Sequence, residues 1–149
     1  MAETVLDARP RRPAPERVAA DRFLRVTAAV FAVAVVVHGA DHLRRGTDVV
    51  TTVVRDAGAI QFVLGAVAVL LVFRGHRWAP AAAVFVGFAS AAGFGAAHLL
   101  PHWSVFSDPY VGRVVAPRVN GFSWFSALFE IAADVAFGIA GLRALWARA

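Results

Sequence analysis

"APAAAVFVGFASAAGFGAAHLL", residues 79–100, contains no Asp, Glu, Lys or Arg; its only polar side chains are Ser90 and His98. A run of this length, wound as an α-helix at about 1.5 Å per residue, crosses a hydrocarbon core about 30 Å thick. It shows no alternation of apolar and polar residues, and a transmembrane β-strand needs only about ten residues. Pro80 suits a helix start, because the first turn needs no backbone donor there. The stretch therefore predicts a membrane-spanning helix.

Three other stretches repeat the pattern. Spans are expected at about 23–43, 52–73, 79–100 and 123–146. Hydrophobic residues make up 59% of the 149-residue chain, against about 45–50% in an ordinary soluble domain. The fold class that follows is all-α: a polytopic membrane protein built as a four-helix transmembrane bundle. The first span has a basic stretch ahead of a short apolar core, as a signal peptide does. "VHGADH" provides no small-x-small cleavage site, so it reads as a retained helix. Residues 1–22, with "ARPRRPAPER", hold too little apolar surface to order themselves and are expected to form a disordered basic cytoplasmic tail. Residues 101–122 form the long outer loop. Pro-Tyr, Ala-Pro and Asn-Gly mark turns in it, and Trp103, Phe106, Tyr110, Val114 and Val115 are expected along the membrane surface.

Composition also excludes. There is no Cys and the one Met is Met1, so disulfides and Cys-ligated metal clusters are ruled out. The net charge of +5 does not point to nucleic acid, because the basic residues sit in the first 25 positions and in short breaks between apolar runs. With the N-terminus inside, ten arginines fall on the cytoplasmic side and five outside. The positive-inside rule then puts both termini in the cytoplasm of a multi-pass inner or plasma membrane protein.

Under that orientation the intramembrane polar residues gather in one leaflet. At 1.5 Å per residue His98 lies ~3 Å below the outer boundary, His38 ~8 Å, Glu130 ~10 Å, Gln61 ~13 Å and Asp134 ~17 Å. His38, Asp41 and His42 share one helix face by their i, i+3, i+4 spacing. Glu130 and Asp134 share another, continued by Ala127, Gly138 and Gly141. His98 extends the row Gly87, Ala91, Gly95, and Gln61 aligns with Ala57, Gly65 and Ala68. Small residues of this kind let helices approach closely, so the polar groups sit on faces expected to pack inward. Pro101 disfavours helix at Leu100; His102, just beyond it, either turns toward the cluster or faces the headgroups.

Isolated ionisable groups at such depth cost several kcal/mol unless paired, solvated or neutral. A coupled His–carboxylate cluster follows, with three functional readings. The first is a metal site of His38, His42, His98, Glu130 and Asp134, supported by Asp41, Gln61 and His102; imidazole and carboxylate suit a divalent ion such as Zn²⁺, Mn²⁺ or Cu²⁺, or iron. A haem b between His38 and His98 is the weaker cofactor alternative. The second is proton-coupled transport or the binding of a lipid-like ligand, for which four spans imply a homo-oligomer. The third is a membrane subunit whose polar residues are purely structural. "HGADH" has the His spacing of a zinc-protease H-E-x-x-H, but Gly39 stands where the catalytic Glu belongs. No nucleophile motif is present, and membrane lipids are the expected partners.

Overall fold

The computed structural model describes residues 15–46 and 48–149. Four helices follow one another: α1, Pro15–Arg45; α2, Thr52–Phe73; α3, Ala79–Phe94, which continues as a π-helical turn, Gly95–Leu99; and α4, Gly121–Trp146. There is no strand among the described residues. All four segments are long and apolar enough to cross a membrane, with mean hydropathies of 1.9, 2.1, 1.6 and 1.6 in chain order. The chain is an all-α, multi-pass membrane protein.

The first helix corrects one expectation. It begins at Pro15, so residues 15–22 are helical and do not belong to a disordered tail. Pro15 starts the first turn and Glu16 lies in it, the position at which an acidic side chain favours the helix dipole. An ion pair of Asp21 with Arg148 at 2.7 Å ties this end to the end of α4. A 31-residue helix is about 46 Å long, so its first turns extend beyond the hydrocarbon core. Residues 1–14, where the rest of the expected tail falls, lie outside the described residues.

The bundle is held chiefly along the α3–α4 seam. A Cβ on Gly87 would lie 2.5 Å from the Asp134 carbonyl oxygen, and one on Gly141 2.7 Å from that of Pro80. Only glycine permits this backbone approach, which brings van der Waals contact and stands in for the hydrophobic drive that lipid removes. Against the seam α1 packs Leu24, Ala28 and Phe31, the last stacked on Phe137 with ring centroids 4.9 Å apart. The expected row on α3 stops short, because Gly95 has no neighbour within 4 Å of an added Cβ.

α2 packs differently. Its buried residues are Gly65, Ala68 and Val72, all in the half nearer α3. Ala57, on the same predicted face, is exposed. The first half of α2 has no buried residue, and a cavity of about 650 Å³ lies between it, α1 and α3.

Candidate metal-binding site

At the end of the cavity near the 100–120 loop, three imidazoles converge. His38 and His42 stand one turn apart on α1, with their Nε2 atoms 3.0 Å apart. His98 comes from the π turn and packs against both, with ring centroids 5.0 Å from His38 and 6.0 Å from His42. One nitrogen from each ring lies within 4.8 Å of the others. Single π turns inside α-helices occur mostly where function needs a side chain re-aimed.

The loop accounts for that turn. Pro101 ends the helix and Leu100 is extended, at φ −94° and ψ 149°. The chain then returns across the helix end, where the amides of Asp108 and Tyr110 donate to the carbonyls of Ala97 and His98 at 3.0 and 2.9 Å. Carbonyls that would otherwise be orphaned at a helix end are thereby satisfied. The Asp108 carbonyl in turn accepts from His98 Nδ1 at 2.9 Å. That bond places the His98 proton on Nδ1 and leaves Nε2 as the free lone pair, as backbone partners do for ligating histidines.

Asp108 is fixed from the other side by Arg45. The two form a bidentate ion pair at 2.6 and 2.7 Å, with side chains 0% and 3% exposed. Arg45 also donates to the Pro117 carbonyl at 3.1 Å. Tyr110 packs against His98 with ring centroids 4.5 Å apart and planes inclined at 33°, and meets Trp124 edge-on. Burial pushes its phenol above the ordinary value, against the pull of the Arg45 guanidinium. Tyr110 is thus interior, whereas Trp103, Phe106, Val114 and Val115 are exposed as expected. Sequence reasoning left Arg45, Asp108 and Tyr110 out of the site. The charge of Asp108 in a mostly apolar loop was the visible signal, since it can pair with an arginine at the end of the first span.

The predicted residues divide into groups. His38, His42 and His98 form the convergent set. Glu130 borders it: its Oε2 lies 3.5 Å from His38 Nδ1, both atoms are buried, and neither has a hydrogen bond among the described residues. Asp134 lies one turn farther along α4, fully buried, with both carboxylate oxygens unpartnered and outside the three-histidine set. Asp41 serves the scaffold. It accepts from Arg44 at 2.8 Å and from Ser123 Oγ at 3.1 Å, joining the end of α1 to the start of α4. There Asn120 and Ser123 form a reciprocal cap, so the expected Asn-Gly turn is a helix start. Gln61 lines the cavity and donates to Ser90 Oγ at 3.4 Å, bridging α2 and α3. His102 is exposed and joins neither group, because Pro101 takes the chain off the face that carries His98.

Comparison of the chain with protein-family models, curated proteins and solved structures finds no match in any of the three.

Proposed function

We propose that this membrane protein binds a divalent transition metal through His38, His42 and His98, with Glu130 beside the site. The observation that carries the reading is the convergence of three imidazoles from two helices next to buried polar atoms without partners. Two features suit an ion. The His98 tautomer leaves Nε2 free to ligate. Three histidines leave a fourth position open, the pattern of zinc sites that take water or a substrate. The arginine distribution favours an orientation with both termini cytoplasmic and the site in the outer leaflet.

A haem between His38 and His98 fits less well. Rings 5.0 Å apart and inclined at 50° leave no slab-shaped gap for a porphyrin. The unpartnered carboxylates of Glu130 and Asp134 favour a second reading, in which they pass protons inward from the histidines in a homo-oligomeric transporter.

Elemental analysis and cobalt titration of the purified protein test the metal. One equivalent per chain is expected, with a visible cobalt absorption band. His98→Ala should abolish that band. Glu130→Gln should weaken binding by about 10–100-fold, the usual effect of losing a group that supports a ligand. Protein without metal above background, and with an unchanged melting temperature under chelation, would return the cluster to a structural role.

A further inference from the structure

The cavity beside the histidines is long and mostly apolar; its ionisable side chains gather toward one end, and the neutral Gln61–Ser90 pair lies farther along it. Along α3 its lining runs from Phe85 to His98, about 20 Å at 1.5 Å per residue. Its volume of about 650 Å³ falls within the roughly 300–1,000 Å³ of small-molecule sites. The deep walls are Val35, Ile60, Leu64, Phe85 and Val86. The charged groups on the lining are Arg55 and Glu130, and the imidazoles of His38, His42 and His98 lie toward the loop end. Arg55 is exposed there, with Asp56 3.6 Å away. A compact polar solute would leave most of this space unmatched.

The wall formed by α2 faces lipid. Ile60, Phe62 and Val63 are 62%, 55% and 59% exposed, and the first half of the helix has no buried residue. A molecule already in the bilayer therefore meets the cavity from the side. Its polar end would reach the histidines at interface depth, with its chain pointing toward the membrane centre, as lipids lie.

We propose that the cavity binds a single-chain lipid with an anionic oxygen headgroup. The head sits among the three histidines and Arg55, and the acyl chain runs between α2 and α3 toward Phe85. The assignment rests on the metal reading in one respect: the ion supplies the larger part of the head's counter-charge and the open coordination position that an oxygen fills. Fatty carboxylate and lysophosphatidate share this chemistry.

Equilibrium binding of radiolabelled stearate, lysophosphatidate and octadecanol to the purified full-length protein tests the assignment, with zinc content measured on the same samples. Stearate or lysophosphatidate should saturate at one per chain, and whichever binds tighter names the headgroup. Octadecanol should bind at least about tenfold more weakly, which corresponds to 1.4 kcal/mol. Gly93 lines the cavity and has no atom within 4 Å of an added Cβ, so Gly93→Phe adds bulk at the cavity wall at a position where a side chain can start. It should lower lipid affinity at least about tenfold, or 1.4 kcal/mol, with zinc content and melting temperature unchanged. Equal binding of octadecanol, or lipid affinity unaltered in Gly93→Phe, overturns the proposal. Zinc uptake without binding of either anionic lipid overturns it while leaving the metal reading intact. Saturable anionic-lipid binding by protein that takes up no zinc supports the lipid site and overturns the metal reading.

Discussion

The best-packed span, α4, is among the least apolar, and the most apolar one, α2, packs worst. The best 18-residue window of α4 has a mean hydropathy of 1.6 and is half buried; that of α2 reaches 2.1 and is 17% buried. In water the ranking would be reversed, because burial follows apolar area. In lipid, Leu and Val gain little by leaving one apolar neighbour for another. Helices associate through close backbone approach and polar contacts. α4 buries small residues along its whole length, from Ser123, Ser126 and Ala127 to Gly138, Gly141 and Ala144, whereas α2 buries only Gly65, Ala68 and Val72, all in its second half. The molecule thus has a closely packed part made of α1, α3, α4 and the 100–120 loop, and a sparsely buried helix, α2, that borders the cavity.

That contrast breaks most sharply at the buried ion pair. Asp108→Ala leaves the Arg45 guanidinium buried with its acid partner gone, a loss expected to cost about 3–5 kcal/mol. It should also free the loop that orients His98. Thermal unfolding in detergent measures the first effect, and metal affinity on the protein that remains folded measures the second. Stability within 1 kcal/mol of the parent would show that the loop does not brace the closely packed part.

Next in size is Gly87→Leu, which drives a side chain into the α4 backbone at Asp134 and Gly138. Overpacking of this kind costs about 1–3 kcal/mol or more, read as a lower melting temperature. The smallest effect is expected for Gly58→Leu on α2. No atom lies within 4 Å of its added Cβ, so the side chain meets no neighbouring backbone and the melting temperature should not fall. If both leucines proved equally damaging, the division into a tight seam and a loose helix would be wrong.

Much of the architecture was legible from residues 79–100 and their three counterparts, because an uncharged run of that length has few stable alternatives in any solvent. Helix over residues 15–22 was missed, since charge in "PERVAADR" marks only departure from lipid. A helix that protrudes into water keeps its hydrogen bonds and tolerates charge. Within the site, His38 and His42 were readable as a pair because helical spacing alone puts them on one face. His98 was readable by depth, but not its neighbours. Asp134 shares a face with Glu130 and still stands outside the histidine set, because facing inward does not specify which helix is met.

The amino-acid sequence by itself determined the class of fold, the number of spans and the leaflet-like gathering of imidazoles and acids, since these follow from local length, periodicity and hydropathy. The tertiary structure alone decided the rest. It bent the loop back so that Asp108 joins Arg45 to His98, let the Gly87 seam close, and left the first half of α2 lining a cavity. Each of these depends on contacts between residues far apart in the chain, for which no local pattern carries a signal.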